Sequence, residues 1–104
     1  MAWIALCFAG LLEICWAVGL KYTDGFKRPV ATAIVVLALA GSMYLLALAV
    51  REIPLGTAYA IWVGIGALGT AIAGVWLWGE PVTPAKITCL LLLTGALVGL
   101  KLSA

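Results

Sequence analysis

Four long apolar stretches separated by three short polar breaks dominate this sequence. They cover about residues 3–20, 29–50, 55–78 and 84–102 of the 104-residue chain. A helix needs about 20 apolar residues to cross the ~30 Å hydrocarbon core of a bilayer. A spanning segment must also satisfy its own backbone hydrogen bonds, which favours helices. We therefore expect an all-α integral membrane protein, with residues 1–104 forming a single transmembrane domain of four helices.

The three breaks contain residues that end and start helices. YTDGFKR at 22–28 contains an Asp-Gly pair, and REIP at 51–54 ends in proline. GEPVTP at 79–84 offers Thr83 as an N-cap, with Pro84 at the first helical position. These signals support four helices joined by short turns.

The basic residues in the breaks and near the ends of the apolar stretches divide unevenly between the two faces. With four spans, both termini and the 51–54 break share one face, which holds the terminal amine, Arg51 and Lys101. The opposite face holds Lys21, Lys27, Arg28 and Lys86. Because this bias is weak under the positive-inside rule, two interpretations stay open. The chain either inserts one way, with the second face in the cytoplasm, or inserts in both orientations.

Composition excludes several classes of function. Of all residues 66% are hydrophobic and 10% charged, and the basic ones lie in or beside the breaks, so no basic patch is available for nucleic acid. The chain has no histidine, and its three cysteines show no metal-site spacing. It also has no nucleophile–base pair and no cofactor motif. We therefore expect no nucleic-acid binding, no metal, no cofactor and no enzymatic activity.

Glu13 is a carboxylic acid near the middle of the first apolar stretch. It lies roughly 10–15 Å from either interface and is too short to reach water. A charge at that depth costs at least ~2.5–3.5 kcal/mol, so an intramembrane acid indicates a functional site. Loss of water favours the neutral acid and an entering cation favours the carboxylate, which predicts a site for both protons and substrate. The alternative is a permanently protonated glutamate that bonds another helix.

Two aromatic groups and a serine are further candidates for this site. Trp16, one turn after Glu13, can offer its π face to a cation, or it simply packs against lipid or protein. Tyr59 can donate to the carboxylate and Trp62 can border the site, although aromatic packing explains the same spacing. Ser42 is a hydroxyl near mid-membrane that either serves the site or bonds its own helix.

Small residues predict where helices bend or approach each other. Gly64 and Gly66 follow the aromatic pair of the third stretch and predict flexibility or close helix contact. Thr88 and Gly95 lie seven residues apart in the last stretch, which is typical of a seam between helices.

The chain resembles the small multidrug resistance family along its whole length. The resemblance is carried by the Glu13 helix and by LKYTDGF, PLGTAYAIWVGIGALGT, GEPVTP and the closing GLKLS. Within that family it is most similar to the guanidinium exporter subtype, because Trp16 stands where the multidrug subtype usually has a small residue. The resemblance implies a proton-coupled antiporter that exports guanidinium-type small cations.

The same resemblance implies an antiparallel, dual-topology homodimer in a bacterial inner membrane, surrounded by lipid. The two copies of Glu13 would face a shared pocket to which Trp16, Ser42, Tyr59 and Trp62 contribute. The last helix would form the dimer seam at Thr88 and Gly95, where Thr88 replaces a glycine of the multidrug subtype.

Three other functions stay open. A proton-coupled exporter of quaternary ammonium or other multidrug cations would depend on shape rather than on bidentate hydrogen bonding. A non-transporting membrane scaffold would pair Glu13 with a partner's basic residue. A passive cation pore would conduct ions.

Overall fold

The chain folds into four α-helices in a computed structural model that describes residues 1–103. They are α1 (Ala2–Tyr22), α2 (Pro29–Ala49), α3 (Leu55–Trp78) and α4 (Pro84–Ser103). All four are long and apolar enough to cross a membrane. The predicted all-helical class, with four helices capable of spanning a membrane, is therefore confirmed for the described residues.

Thr23 organises the turn between α1 and α2. Its Oγ1 donates to the Leu20 carbonyl at 2.7 Å and accepts from the Phe26 amide at 3.3 Å. The chain reverses through Asp24, Gly25 and Phe26, all with positive φ. Because two of these three residues are not glycine, the Thr23 hydrogen bonds help to hold the left-handed conformations.

The turn between α3 and α4 stops one helix and caps the next. Gly79 adopts a left-handed conformation with φ 62°, and the Glu80 amide donates to the Gly74 carbonyl at 3.4 Å. The Lys86 amide donates to Thr83 Oγ1 at 3.1 Å, and α4 begins at Pro84. The structure thus confirms the predicted N-cap at Thr83.

The helices lie side by side in the order α2, α1, α3, α4. Helix α1 packs along both α2 and α3, α3 packs on α4, and α2 meets α3 over a short region only. The Cα atoms extend 41 × 35 × 17 Å, so the thinnest dimension is about half of either of the other two. The protomer is a thin row of helices with two broad faces.

The hydrophobic core fills one half of this row. It joins α1, α2 and α3 near the face that holds the N-terminus and the 51–54 break, through Ala2, Leu6, Ala9, Leu46, Ala49, Ile53, Ala58, Ile61 and Trp62. Glu13 lies on α1 just beyond the last core residue of that helix. Within residues 84–103, α4 has no buried residue. The core therefore ends where the candidate site begins.

Candidate functional site

Three helices meet in a buried hydrogen-bonded cluster formed by Ala9, Ser42 and Trp62. The Ser42 hydroxyl donates to the Ala9 carbonyl at 2.7 Å, and Trp62 Nε1 donates to Ser42 Oγ at 2.9 Å. Trp62 Nε1 also lies 3.3 Å from the Ala9 carbonyl oxygen. Ser42 is fully buried and Trp62 is 6% exposed. The cluster fixes α2 and α3 against α1 at the edge of the core.

Glu13 occupies the next helical turn and lies against Gly66. Glu13 follows Ala9 by four residues on α1, and Gly66 follows Trp62 by four residues on α3. A Cβ atom added at Gly66 would overlap the Glu13 carboxyl group, so glycine lets that group lie directly against α3. The Glu13 side chain is half-buried, and its Oε1 is buried with no hydrogen-bond partner among residues 1–103.

The neighbours of Glu13 show which way its side chain faces. Leu12 lies beside Gly41 of α2, whereas Ile14 lies beside Gly69 of α3. Since successive helical residues are about 100° apart, Glu13 points between the two neighbouring helices. We call the space between α2 and α3 that Glu13 faces the α2–α3 cleft. The Ser42–Trp62 hydrogen bond crosses this cleft one helical turn closer to the face that holds the two ends of the chain.

Trp16 is brought close to Glu13, but Tyr59 is not. Trp16 follows Glu13 by three residues, so it lies one turn further along the same side of α1. Its buried Nε1 has no hydrogen-bond partner within the described chain. Tyr59 packs on Trp62, with ring centroids 5.6 Å apart. It precedes Gly66 by seven residues, about 10 Å along α3. Among the described contacts it makes no hydrogen bond to Glu13 of its own protomer, and it is 53% exposed.

Gly64 and Gly66 are contact points between helices. A Cβ added at Gly64 would overlap Leu97 of α4, while Gly66 accommodates Glu13. Helix α3 continues unbroken from Leu55 to Trp78. Close approach thus gives both glycines a role in this structure, and bending at these positions stays a prediction.

Thr88 and Gly95 lie on the exposed surface of α4. The Thr88 hydroxyl donates to the Pro84 carbonyl at 2.8 Å. A Cβ added at Gly95 would meet no described atom within 4 Å. Both positions have space for a neighbour outside the protomer, and the dimer seam stays a prediction.

Sequence reasoning missed two parts of the site. The acceptor for both Ser42 and Trp62 is the backbone carbonyl of Ala9, which no side-chain pattern reveals. Thr70 Oγ1 is buried without a partner in the described residues. Thr70 follows Gly66 by four residues, and this helical spacing could have indicated that it belongs to the site.

Two lysines contact tryptophans at opposite ends of the helices. Lys21 Nζ lies 4.4 Å from the ring centroid of Trp78, and Lys101 Nζ lies 5.0 Å from that of Trp3. The first contact links α1 to α3 and the second links α4 to α1. Both contacts connect helices near their ends, and both lie away from Glu13. Residues 1–103 also contain no group of three His, Cys, Asp or Glu side chains placed to hold a metal ion.

Four helices long and apolar enough to cross a membrane, with the acid of one helix held against a glycine of another, are the features of a multi-pass membrane protein. The sequence profile described as Small Multidrug Resistance protein matches residues 1–93. The chain belongs to the small multidrug resistance family, as its motifs predicted.

Similar proteins within this family are named guanidinium exporters. The chain is 54% identical to one from Salmonella typhimurium over 104 residues, covering 100% of this chain and 99% of that protein. It is 52% identical to one from Yersinia pseudotuberculosis, with both chains covered completely. It is 53% identical to one from Escherichia coli over 99% of this chain and 98% of that protein. These names describe transporters, which confirms that the chain belongs to a transport family and not to an enzyme class.

Proposed function

We propose that this protein exports guanidinium and small substituted guanidinium ions in exchange for protons. The observation that carries the proposal is the Glu13 carboxyl group, which faces the α2–α3 cleft with an unpaired buried oxygen. Helices α2 and α3 contain no lysine or arginine, so neither neighbouring helix neutralises this acid with a salt bridge. The names of relatives 52–54% identical over nearly the full chain support the same substrate.

Guanidinium matches the groups around Glu13. It is planar and always cationic, and its N–H donors can form two parallel hydrogen bonds with one carboxylate. The Trp16 indole, one turn away, offers an apolar face for the flat cation. Ser42 and Trp62 hold the adjoining end of the cleft. A tetraalkylammonium ion has no N–H donor and cannot form the two hydrogen bonds.

Exchange follows from competition between protons and substrate for the Glu13 carboxylates of the two protomers. A protonated Glu13 has lost the charge that attracts the cation, and a bound cation disfavours protonation. Protons and substrate therefore occupy the site in turn. Net exchange also requires the loaded protein to change which side of the membrane the site faces. In this proposal, α3 bends at Gly64 and Gly66 when the site switches from one side of the membrane to the other.

An antiparallel homodimer is the assembly we propose. The protomer is a thin row of helices, its α4 surface is exposed at Thr88 and Gly95, and the charge bias between its faces is weak. The exposed Tyr59 hydroxyl is available to the Glu13 of a second copy. We further propose that the dimer inserts in both orientations in a bacterial inner membrane.

Exchange in liposomes tests the proposal. Purified protein is reconstituted, a pH gradient is imposed, and uptake of labelled guanidinium against its concentration gradient is measured. Wild-type protein should accumulate guanidinium, and Glu13→Gln should not. Glu52→Gln and Glu80→Gln are matched controls, because both glutamates are exposed outside the helices, and they should transport like wild type. Proton-coupled exchange by Glu13→Gln would contradict the proposal.

The same preparation separates the other candidate functions. Preference for a tetraalkylammonium ion over guanidinium would favour the multidrug exporter. Conductance without a proton gradient would favour a pore. Absence of any cation binding would favour a scaffold.

A further inference from the structure

Thr70 carries a buried hydroxyl that has no hydrogen-bond partner among residues 1–103. A threonine or serine inside a helix commonly donates to the carbonyl four residues earlier. Three hydroxyls of α4 do so, namely those of Thr88, Thr94 and Ser103. Thr70 does not use the equivalent carbonyl of Gly66. The Thr32 hydroxyl of α2 is also buried and unpaired within the described chain, so Thr70 differs from Thr32 by lying near Glu13. A buried hydroxyl left unpaired is costly, so this departure needs a reason.

The position of Thr70 near Glu13 gives a reason for its unpaired hydroxyl. Thr70 lies one turn after Gly66, the residue that contacts the Glu13 carboxyl group. Side chains in a helix lean toward its N-terminus, so the Thr70 hydroxyl is directed back toward the level of Gly66. Gly69 contacts Ile14 of α1, which keeps α1 and α3 close at this depth. Along α3, Thr70 with its unpaired Oγ1 therefore lies about one turn beyond Gly66, the level at which the unpaired Glu13 Oε1 meets this helix.

We propose that Thr70 is a positioning residue for Glu13 and donates a hydrogen bond to its ionised carboxylate. The bond is direct when the carboxyl group turns from Gly66 toward Thr70 along α3, or it passes through one bridging water, since such a water serves nearly as well as direct contact. A donor to the carboxylate favours the charged form. Thr70 thereby adjusts how readily Glu13 gives up its proton. The inference rests on the proposed function only in requiring that Glu13 alternate between its neutral and charged forms.

Within the protomer, no charged neighbour masks this effect. Between 29 and 49 α2 has no ionised side chain, and its phenol, Tyr44, is 65% exposed. Between 55 and 78 α3 also has none, and its phenol, Tyr59, is two turns from Gly66. On α1 the titratable neighbour is the exposed Cys15. Trp16 Nε1 is the other unpaired donor near the carboxyl group.

Titration of Glu13 without any substrate tests the inference. The protein is labelled with ¹³C at the glutamate carboxyl carbons, and the shifts are followed by NMR against pH in lipid bilayers. Glu13→Gln identifies the Glu13 signal among those of Glu52 and Glu80. Thr70→Val removes the hydroxyl at nearly constant shape and should move the Glu13 midpoint to higher pH by roughly half a unit or more.

Two further variants show whether the hydroxyl itself is responsible. Thr70→Ser keeps the donor and should titrate close to wild type. Thr94→Val is the matched control, because the Thr94 hydroxyl bonds its own helix, and it should leave the midpoint unchanged. A Thr70→Val midpoint equal to wild type would overturn the inference, and so would a Thr70→Ser midpoint equal to that of Thr70→Val.

The titration and the transport assay can fail separately. Because no guanidinium is present, the shift in Thr70→Val remains measurable even if guanidinium is not the substrate. Conversely, guanidinium exchange with an unshifted Thr70→Val midpoint would leave the proposed function standing and remove Thr70 from it. A Glu13 that does not titrate in wild type would contradict both.

Discussion

Trp62 Nε1 donates to Ser42 Oγ across 2.9 Å, and this hydrogen bond joins α3 directly to α2. These two helices otherwise meet over a short region, because α1 lies between them for most of their length. The bond lies one turn from Glu13. It therefore holds the two sides of the α2–α3 cleft at a fixed separation where the polar site begins.

The first prediction concerns the strength of this connection. Ser42→Ala and Trp62→Phe should each destabilise the protomer, and the double variant should lose less than the sum. Hydrogen bonds between transmembrane helices couple by ~0.6 kcal/mol on average and up to ~1.7 kcal/mol, so we expect a coupling of about 1 kcal/mol. Reversible unfolding in mixed micelles measures it. Ser103→Ala is the control, since that hydroxyl bonds its own helix. Strictly additive losses would show that the bond contributes nothing.

The second prediction concerns the contact between α3 and α4. Gly64→Ala should destabilise the protein by about 1 kcal/mol, because the new methyl group overlaps the end of the Leu97 side chain and forces it to shift. Adding Leu97→Ala should recover part of that loss, although Leu97→Ala alone is destabilising. The two single variants and the double variant are compared by unfolding. If the double variant loses as much unfolding free energy as the two single variants together, Gly64 and Leu97 do not contact each other.

The third prediction concerns Trp16 as a surface for the cation. Trp16→Ala should weaken guanidinium binding roughly tenfold or more, since a desolvated cation–π contact contributes about 2 kcal/mol. Trp76→Ala is the control, because Trp76 is 90% exposed at the far end of α3. Isothermal titration calorimetry gives both affinities. Equal affinities for the two variants would remove Trp16 from the site.

The fourth prediction concerns the proposed seam. Gly95→Leu should disrupt dimerisation, because α4 is proposed to meet its partner there, while the protomer itself has space for the side chain. Ala96→Leu, one residue along the same helix on another exposed side, should leave the dimer intact. Chemical cross-linking in membranes reports both. A Gly95→Leu variant that dimerises like wild type would place the interface elsewhere.

Much of the fold could be predicted from local signals in the sequence. Apolar runs of this length allow few alternatives, because a segment in lipid must pair its own backbone groups. The N-cap at Thr83 and the helix start at Pro84 were also predicted from local sequence signals. Each depends on a few neighbouring residues and on no contact distant in the sequence.

The arrangement of the site depended on how helices pack, which the sequence did not reveal. Helical spacing placed Tyr59 and Trp62 on one face of α3, yet the vertical alignment of α1 and α3 decides which of them reaches Glu13. That alignment brings Gly66 to the carboxyl group and leaves Tyr59 on Trp62. The Ala9 carbonyl could not be foreseen, since every residue offers the same backbone acceptor.

The most direct test of the central claim is proton release on ligand binding. Guanidinium is added to purified protein in weakly buffered solution near neutral pH, and a pH indicator follows the change. We expect wild type, Glu52→Gln and Glu80→Gln to release protons in a saturable manner, and Glu13→Gln to release none. Binding of guanidinium to wild type without proton release, or undiminished release by Glu13→Gln, would contradict competition between proton and cation at Glu13.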